Sequence, residues 1–402
     1  MTETTTLHKN LVAGVLEVLE QCFGKKVYAD KVIERILKTN KNWGSRDRAF
    51  VAENAYEMVR YWRLLWWFAD SEPSLKRRDL WRFFGIYWLW KGNKLPNWDV
   101  YEQFERVHFP RLDSLELGVR ESFPGWLCRL AELELGEEWP AIAEELNVPA
   151  HLILRTNTLK TNRETLMNRL ILEGLEPEAF AYNEVGVVLK KRANTFRLDS
   201  FKEGWYEVQD GGSQLIGPYL QVEPGMRVID ACAGAGGKSL HLAAQMENKG
   251  TLLSMDIEGW KLNELKKRAR RNGAHNIETR AIESSKTIKR LEGSADRVLL
   301  DVPCSGTGVI KRNPDTKWKL DPAYLDRVQN MQYDIISRYS QMTKVGGKLV
   351  YATCSIFPSE NERQVARFLD VHPEFSLEDQ QRIMPSDQGT DGFFMARMLR
   401  IS

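Results

Sequence analysis

The sequence lacks the features of secreted, disulfide-bonded and membrane-spanning proteins. Only five of its 402 residues are cysteines, at positions 22, 128, 232, 304 and 354, and no two have the C-x-x-C spacing typical of a zinc site. An odd number of widely spaced cysteines also argues against a disulfide framework. The N-terminus shows no signal peptide, and no apolar run is long enough to span a bilayer. We therefore expect a cytoplasmic monomer that binds neither metal nor membrane.

The chain also lacks an excess of charge of either sign. Lysine and arginine number 57 against 55 acidic residues, so the net charge is +2 and any basic surface must be local. The tryptophans, in contrast, are unevenly distributed, because ten of the 13 precede residue 140. With 43% hydrophobic residues, a chain of this length is expected to fold into two or three domains.

Three regions with different patterns follow one another. Residues 1–140 have apolar side chains at helical spacing, including an aromatic run at 61–68 that we expect to pack in a core rather than to stack on RNA. Residues 141–205 mix helical and strand patterns, among them a predicted strand at 196–198, and suit a small α+β module. In residues 206–402 short apolar strands alternate with helices, which predicts a mainly parallel sheet with helices on both faces.

A glycine-rich loop follows the predicted strand that ends at Asp230. The loop leads into a helix, and such a turn lets a ligand approach the backbone closely. A phosphate-binding P-loop would need glycine at Cys232, and the dinucleotide fingerprint would need glycine at Ser239, so both motifs fail. The third ligand that such a loop can bind is S-adenosylmethionine. The structural alternative is a tight strand-to-helix turn that binds no ligand.

Acidic residues end two neighbouring predicted strands. Asp256 follows Asp230 by 26 residues, and a carboxylate there can accept both hydroxyls of an adenosine ribose. Capping of the following helix is the alternative interpretation of Asp256. Asp301 ends another strand, at the carboxyl edge where open α/β sheets bind ligands.

Cys304 and Cys354 follow two strands and are expected at the same edge as the glycine loop. A free cysteine is most often a small buried hydrophobe, but two thiols and two carboxylates at one ligand edge indicate methylation of a pyrimidine at carbon 5. A thiolate that adds to C6 makes C5 nucleophilic toward an electrophilic methyl group. The residues alone leave open which cysteine attacks and which assists release. Asp301 would bind the amino group of cytosine, and Lys238 would either orient the ring or neutralise the acidic edge.

Four segments resemble the motifs of the RsmB/NOL1/NOP2/Sun family of RNA cytosine-C5 methyltransferases. They are DACAGAGGKS (230–239), DVPCSGTGVIKRNPDTKW (301–318), YATCSIFPSENE (351–362) and DGFFMARM (391–398). The similarity runs from about residue 145 to the C-terminus. More loosely, residues 45–62 resemble the NusB-like helical domain of the RsmB members, which supports small-subunit ribosomal RNA as the substrate.

The resemblance implies three domains and a set of functional residues. The domains are a helical NusB-like RNA-binding domain (1–140), a small α+β, RRM-like module (141–205) and a Rossmann-like methyltransferase domain (206–402). Cys354 is implied as the nucleophile and Cys304 as the residue that helps to release product. The implied contacts to S-adenosylmethionine are Cys232, Ala233, Gly234, Ala235, Gly236, Gly237, Lys238, Asp256, Glu283 and Asp301. At Glu283 the family usually has aspartate.

Several basic residues are candidates for RNA contacts. The preferred ones follow the Cys304 loop: Lys311, Arg312, Lys317, Trp318 and Lys319. Trp318 would either stack on a base or pack within the protein. Arg155 and Lys160 would extend this track, and a basic helix at 259–272 is either a phosphate contact or an ordinary solvated face. A transfer-RNA methyltransferase and a non-catalytic RNA-binding ribosome assembly factor are the two rival functions. A DNA methyltransferase would leave Cys354 unexplained.

Overall fold

The computed structural model describes residues 7–102, 104, 107–191, 193–385 and 390–402. Within these residues the α-helices are Lys9–Leu19 (α1), Ala29–Thr39 (α2), Ser45–Arg60 (α3), Trp62–Phe68 (α4), Arg77–Trp90 (α5), Leu117–Arg120 (α6), Gly125–Leu135 (α7), Trp139–Asn147 (α8), Arg163–Leu172 (α9), Asp199–Lys202 (α10), Gly211–Tyr219 (α11), Gly237–Gln245 (α12), Gly259–Asn272 (α13), Ser285–Lys289 (α14), Thr316–Lys319 (α15), Pro322–Tyr339 (α16) and Glu362–Val371 (α17).

The β-strands are Leu152–Thr156 (β1), Pro177–Ala179 (β2), Gly186–Leu189 (β3), Tyr206–Val208 (β4), Arg227–Asp230 (β5), Thr251–Asp256 (β6), Ile277–Ala281 (β7), Ala295–Asp301 (β8), Thr343–Thr353 (β9), Phe375–Ile383 (β10) and Phe393–Arg400 (β11). The chain divides into two compact units. One contains Met1–Asn147 and Ile310–Asp321, and the other contains Val148–Val309 and Pro322–Ser402. The three domain boundaries expected from the sequence stay a prediction.

The first unit is helical, as the sequence predicts for its N-terminal part. Helix α3 begins where the Asp47 carboxylate accepts a hydrogen bond from the Gly44 N–H (3.0 Å), which satisfies one of the free amides at a helix start. Its apolar side chains recur at three- and four-residue spacing and are buried. That this unit is NusB-like stays a prediction.

The aromatic run at 61–68 packs in the core of the helical unit, as expected. Trp62, Trp66 and Phe68 are buried, and the Trp62 ring stacks on Phe23 with 3.7 Å between ring centroids. Trp67 is the exception, with 45% of its surface exposed. The run therefore stabilises the helical unit chiefly through apolar burial and aromatic contacts.

The segment Ile310–Asp321 belongs to the helical unit, and its Lys317 side chain is fully buried there. The ammonium group lies 4.1 Å from the centroid of the Phe123 ring and 3.3 Å from the Asn147 Oδ1 atom. Burial, together with the nearby Arg60, holds the pKa of Lys317 well below its usual value. The predicted RNA contact of Lys317 is wrong, because protein groups enclose this side chain.

The other preferred RNA contacts in this segment are likewise engaged within the helical unit. Lys311 is buried and pairs with Glu145, and the Trp318 indole N–H donates to the Val59 carbonyl at 2.7 Å. Lys319 pairs with the aspartate four residues before it. Lys311 is buried, so its predicted RNA contact is also wrong. Arg312, Trp318 and Lys319 are only partly buried, and their RNA contacts stay predictions.

In the second unit, β1–β4 form a small antiparallel sheet in the order β2-β3-β1-β4. Its apolar side packs against α9, where Leu166 and Leu170 meet Leu154 and Val187. This agrees with the predicted α+β module. The predicted strand at 196–198 is wrong, since residues 195–197 form a turn of 3₁₀ helix, and β2 and β4 were not predicted.

The remaining strands form a seven-stranded sheet in the order β10-β11-β9-β8-β5-β6-β7. The five strands from β9 to β7 are parallel, and β11 is antiparallel to both of its neighbours. Successive residues alternate between the faces: Val228 contributes to the core under α11–α13, and Ile229 contributes to the core under α14, α16 and α17. This confirms the predicted parallel sheet with helices on both faces.

Candidate active site

The order of the large sheet creates a crevice at the carboxyl end of β5. From this central strand the chain proceeds to β6 on one side, while β8 lies on the other, and such a reversal of strand order is where open α/β sheets bind ligands. Asp230, Asp256 and Asp301 end the strands β5, β6 and β8, and Cys354 directly follows the end of β9. The predicted site residues on these strands therefore meet at one edge.

The glycine loop between β5 and α12 has a backbone that other residues could not easily adopt. Gly236 has a φ of +88°, and a Cβ atom there would lie 2.4 Å from the Leu265 side chain. Gly234 has a φ of +53°, and a Cβ atom on Gly234 or Gly237 would meet nothing within 4 Å. The loop therefore packs closely against α13 on one side and is open on the other, where the first turn of α12 begins.

Asp256 holds the loop and is available for a further partner. Its two carboxylate oxygens accept the backbone N–H groups of Gly234 (2.9 Å) and Glu258 (2.8 Å). Each carboxylate oxygen has a second lone pair, so these two bonds leave acceptor capacity. The helix-capping alternative is wrong, because Glu258 is the N-cap residue of α13 and no side chain caps this helix. Asp256 bonds only the backbone N–H of Glu258 and, on the other side, the glycine loop.

Two arginines bind carbonyl groups of the glycine loop from behind. Arg268 donates to the Ala235 carbonyl (2.7 Å) and to the Glu207 carboxylate (2.9 Å), and Arg155 donates to the Gly237 carbonyl (2.6 Å). Glu207 is buried and also pairs with Arg271. These residues connect the small sheet to the loop, and the sequence analysis did not predict this connection.

Arg155 was a candidate RNA contact, and that prediction is wrong. Its side chain is fully buried, and burial lowers its pKa to about 9. Lys160, the other candidate beside it, is exposed, but its ammonium group donates to the Arg271 carbonyl at 2.7 Å. On the basic helix α13, Lys266, Lys267 and Arg270 are exposed and suit the interpretation of a solvated face.

Lys238 and Asp301 form an ion pair at the centre of the edge. The Lys238 ammonium lies 2.6 Å from the Asp301 carboxylate and 5.7 Å from the centroid of the Phe393 ring. Burial disfavours the charge on Lys238, but the Asp301 carboxylate outweighs this effect and raises the pKa of Lys238 above its usual value. A charged lysine and a carboxylate are thus adjacent. The Lys238 ammonium can donate hydrogen bonds to the polar ring of a ligand, and the Asp301 carboxylate can accept one from it.

The thiols of Cys304 and Cys354 touch each other at the same edge. Their sulfur atoms are 3.1 Å apart, and the Cys354 N–H also contacts the Cys304 sulfur at 3.3 Å. The hydrogen bond with Cys354, followed by burial, raises the pKa of Cys304 well above the usual value of a thiol. The two sulfurs therefore form one site, in which Cys304 favours the protonated state.

The remaining cysteine of the edge, Cys232, lies among carboxylates. Burial, followed by the charges of Asp230, Asp301 and Asp256, raises its pKa well above the usual value. A thiol kept protonated in this way is a poor nucleophile. Cys232 is therefore a part of the loop and not a candidate for attack, and its predicted contact with the cofactor stays a prediction.

Glu283 lies two residues beyond the end of β7 and is exposed. The neighbouring Ile282 N–H donates to the Asp256 carbonyl at 2.9 Å, so this segment is joined to the end of β6. Glu283 thus follows a strand of the same sheet, next to a residue that is hydrogen-bonded to the end of β6. Its predicted contact with the cofactor stays a prediction.

Three polar residues behind the cysteines, Ser305, Ser355 and Glu360, were not predicted from the sequence. Ser305 and Ser355 follow Cys304 and Cys354 directly, and both hydroxyls contact the buried carboxylate of Glu360. The signal was present in the repeated Cys-Ser pair and in the glutamate five residues after the second pair. Nothing local indicates, however, that the two pairs share a partner.

Within the described part of the chain, no three histidine, cysteine, aspartate or glutamate side chains are grouped so that they could hold a metal ion. None of the helices formed by the described residues is long and apolar enough to cross a membrane.

Two family models and many known proteins match this chain. Residues 218–399 match the model described as 16S rRNA methyltransferase RsmB/F, and residues 123–195 match the ferredoxin-like domain of RsmF/B-like methyltransferases. The chain is 33% identical over 305 residues to the probable ribosomal RNA small subunit methyltransferase B of Synechocystis sp., covering 71% of this chain and 68% of that protein. The chain belongs to the RsmB/F family of methyltransferases.

Further RsmB/F comparisons agree with this assignment. The corresponding Bacillus subtilis protein is 33% identical over 327 residues, which cover 74% of this chain and 72% of that protein. The crystal structure of a methyltransferase homologue from Pyrococcus horikoshii superposes with a TM-score of 0.62 at 26% identity, covering 70% of this chain and 97% of the other. The Rossmann-like sheet and the ferredoxin-like module are therefore features of the family.

Methyltransferases of the RsmB/F family use S-adenosylmethionine, and the edge of the sheet fits this cofactor. The open side of the glycine loop leaves room above the first turn of α12, where a Cβ atom on Gly237 would meet nothing within 4 Å. The spare acceptor capacity of Asp256 at the end of β6 suits a pair of ribose hydroxyls. Ile257 beside it has 69% of its surface exposed and offers an apolar surface for an adenine ring.

Proposed function

We propose that this RsmB/F protein transfers a methyl group from S-adenosylmethionine to C5 of a cytosine in RNA, and that the RNA is small-subunit ribosomal RNA. The observation that supports the proposal best is the contact of two thiols beside a lysine–aspartate pair at one ligand edge. Both relatives, from Synechocystis sp. and Bacillus subtilis, are named as probable ribosomal RNA small subunit methyltransferases, which supports the choice of RNA.

Asp301 and Lys238 would recognise the base. A cytosine carries an exocyclic amino group that donates to a carboxylate, whereas uracil has an oxygen at this position that a carboxylate would repel. Lys238 would then donate to an acceptor of the ring and withdraw electron density from it. Because Lys238 and Asp301 already contact each other at 2.6 Å, little reorganisation would be needed to orient the base.

Cys354 would act as the nucleophile. Its thiolate sulfur forms a bond to C6 of cytosine, and the electron pair of the C5–C6 double bond becomes available at C5. When bound, S-adenosylmethionine supplies the electrophilic methyl group. After C5 has been methylated, a water molecule takes the C5 proton, and the electron pair of that C–H bond restores the C5–C6 double bond. The C6–sulfur bond breaks at the same time, and Cys354 leaves as a thiolate that the Cys304 thiol stabilises by a hydrogen bond.

Cys304 would assist the release of the product. The hydrogen bond with Cys354, followed by burial, raises the pKa of Cys304 and keeps its thiol protonated, in the form that can donate a proton or a hydrogen bond. The 3.1 Å contact lets one thiol donate a hydrogen bond to the other while the base is bound between Cys354 and the Lys238–Asp301 pair. This division of work agrees with the one implied by the motifs of the family.

The cofactor would lie along the open side of the glycine loop. Asp256 would accept the ribose hydroxyls, the amides at the start of α12 would face the amino acid part of the cofactor, and Glu283 would extend toward the adenine. The set of contacts is Cys232, Ala233, Gly234, Ala235, Gly236, Gly237, Lys238, Asp256, Glu283 and Asp301. The NusB-like helical domain would bind RNA, and the predicted cytoplasmic monomer stays a prediction.

The proposal is tested by incubating the purified protein and labelled S-adenosylmethionine with small-subunit ribosomal RNA, with partly assembled small subunits, and with transfer RNA. Mass spectrometry of the digested RNA should reveal 5-methylcytosine in the ribosomal RNA samples only. Methylation of transfer RNA alone would favour the first rival function. Failure to bind S-adenosylmethionine in calorimetry would favour the non-catalytic assembly factor.

Cys354→Ala is the decisive variant for the chemistry. Without the sulfur no bond to C6 can form, so methylation should be abolished while the affinity for S-adenosylmethionine stays unchanged. Calorimetry and methyl incorporation measured on the same preparation provide both readouts. Sustained methylation by Cys354→Ala would exclude Cys354 as the nucleophile.

A further inference from the structure

One buried carboxylate lies behind both cysteine loops. Ser305 and Ser355, the residues directly after Cys304 and Cys354, each donate a hydroxyl hydrogen bond of 2.5 Å to the Oε1 atom of Glu360. Glu360 has no exposed surface. A single side chain thus joins two loops that are 50 residues apart in the sequence.

The second oxygen of Glu360 is engaged in the same way. Its Oε2 atom accepts the Ser305 backbone N–H at 2.8 Å and the Gln332 side-chain amide at 3.0 Å. All four contacts come from donors, and an ionised carboxylate has about four acceptor positions and no proton of its own. The Glu360 carboxylate is therefore fully satisfied by groups of the cysteine loops and of α16.

The carboxylate itself is firmly held. The Tyr351 hydroxyl donates to the Glu360 backbone carbonyl at 2.7 Å, which fixes Glu360 to strand β9. Gln332, besides contacting Glu360, donates to the Pro303 carbonyl next to Cys304 at 2.9 Å. The first loop is thus joined to Glu360 both directly and through α16.

Thr307 completes the link between the loops. Its hydroxyl lies 3.0 Å from the Ser305 hydroxyl and 3.1 Å from the Ser355 hydroxyl. Since both serine hydroxyls use their single proton on Glu360, Thr307 can donate to only one of them at a time. The Thr307 hydroxyl also accepts the Ile356 N–H at 3.2 Å, and the Gly308 N–H donates to the Cys354 carbonyl at 2.9 Å, so these groups join the two loops as well. Glu360 is the charged group among these links, and the hydroxyls of both serines donate to it.

We propose that Glu360 is a positioning residue, which sets the separation and orientation of Cys304 and Cys354 by holding the residue after each. Glu360 contacts neither sulfur, so it takes no direct part in bond making. The inference rests on the proposed function, because it assumes that both thiols act on one base. Two short loops with few regular backbone pairs need such a common anchor to keep reacting atoms in place.

Two variants separate the reach of the Glu360 side chain from its charge. Glu360→Asp keeps the charge but is one methylene shorter, so it cannot hold both serine hydroxyls. Glu360→Gln keeps the length, and its amide can donate to the hydroxyls after they rotate, so both loops stay joined. Glu362→Gln is the matched control, because Glu362 pairs with Arg382 and contacts neither cysteine loop.

For methylation, kcat of Glu360→Asp should fall about 100-fold, the cost of a misplacement near 1 Å, whereas KM for RNA should change less than about twofold. Glu360→Gln should retain kcat within about fivefold, and Glu362→Gln should match the unchanged protein. An unchanged kcat in Glu360→Asp, or a larger loss in Glu360→Gln than in Glu360→Asp, would overturn the proposal.

A second measurement needs no substrate and is independent of the proposed reaction. Dibromobimane becomes fluorescent when it bridges two neighbouring thiols, and it should bridge Cys304 and Cys354 rapidly in the unchanged protein and in Glu360→Gln. Bridging should be much slower in Glu360→Asp and in the double variant Ser305→Ala/Ser355→Ala. Equal rates in all variants would refute the positioning role, even in a protein that methylates no cytosine.

The thermal midpoint of each variant is recorded in parallel. Glu360→Asp should keep the thermal midpoint and the affinity for S-adenosylmethionine of the unchanged protein. If thiol bridging is slow at the same time, the substitution acts locally on the two cysteine loops. Loss of cofactor affinity along with kcat in Glu360→Asp and in the double serine variant would show a general structural role and overturn the proposal. Absence of 5-methylcytosine from the unchanged protein, with normal bridging, would count only against the proposed reaction.

Discussion

The sulfur of Cys304 lies 3.1 Å from the sulfur of Cys354, although the two residues are separated by 50 positions in the chain. Adjacent parallel strands make this possible, because β8 and β9 pair in register, with Asp301 opposite Ala352. Each cysteine follows the end of its strand by only a few residues. Two thiols at this distance can both face the C5–C6 bond of a single pyrimidine.

Replacement of Cys304 should trap the covalent complex. In Cys304→Ala the Cys354 sulfur can still add to C6, but the group that assists release is missing. We expect a slowly migrating protein–RNA band in denaturing gels when S-adenosylmethionine is present, and turnover reduced by at least about 100-fold. Cys128→Ala, at a buried thiol of the helical unit, is the control. Normal turnover without a trapped complex would contradict the assignment.

Loss of the Arg268 side chain should weaken the binding of S-adenosylmethionine. In Arg268→Leu the Ala235 carbonyl loses its 2.7 Å hydrogen bond, and Glu207 loses one of its two arginine partners. A charge-assisted hydrogen bond contributes about 1.5–3 kcal/mol, which corresponds to a loss of about 10- to 100-fold in affinity. Calorimetry measures this change. Lys267→Leu, on the exposed side of α13, should bind normally, and equal affinities would show that the loop needs no support from Arg268.

Asp230 should make the protein less stable as the pH rises. Burial, and also the nearby Asp301 charge, raises the pKa of Asp230 to about 7. Between about pH 4 and pH 7 the unfolded chain has released this proton while the folded chain keeps it, so the free energy of unfolding falls as the pH increases. The fall amounts to at most about 4 kcal/mol, at about 1.4 kcal/mol per unit of pKa.

Asp230→Asn should therefore flatten the dependence of stability on pH in this window. Urea denaturation at several pH values, without cofactor, gives the free energy of unfolding of both proteins. The difference between variant and unchanged protein should grow in favour of the variant from about pH 4 to about pH 7. A difference independent of pH would show that Asp230 is already ionised throughout.

Lys317→Met should stabilise the helical unit. The buried ammonium has a lowered pKa, so at neutral pH its charge is costly in the folded state, and methionine fills a similar volume without a charge. Replacement of buried ionic groups by well-packed apolar residues of similar volume stabilises proteins by up to about 4 kcal/mol, and the thermal midpoint should rise accordingly. The affinity for RNA should not change, in contrast to the contact suggested by the sequence. If Lys317→Met lowers the affinity for RNA without lowering stability, the RNA contact predicted for Lys317 from the sequence would be supported after all.

The repeating parts of the fold were predictable from local patterns. Strands β5 and β6 end at Asp230 and Asp256 and the basic helix spans residues 259–272, as predicted, because alternation and helical periodicity are properties of short segments. The C-terminal hairpin of β10 and β11 was not predicted. Residues of β10 are largely polar and partly exposed, so this strand is defined by its pairing with β11 and lacks a clear apolar pattern.

The residues of the candidate site that directly follow strands could be predicted from residue type and position along the chain. The aspartates and cysteines follow strands, and the carboxyl ends of parallel strands meet at one edge whatever the details of packing. The role of the basic residues could not be predicted in this way. Arg155, Lys311 and Lys317 look like RNA contacts in sequence, yet they are buried and bonded to protein groups.

Local sequence patterns were enough to predict that two cysteines, two aspartates and a glycine loop lie at the ends of strands, and therefore at one edge of a parallel sheet. The tertiary structure alone decided which charged groups remain free and which hold the molecule together. Pairing and burial depend on partners far away in the chain, such as Glu207 for Arg268 and Glu360 for both cysteine loops. No local pattern encodes such partners, so only the folded chain could reveal that Glu360 stands behind both thiols.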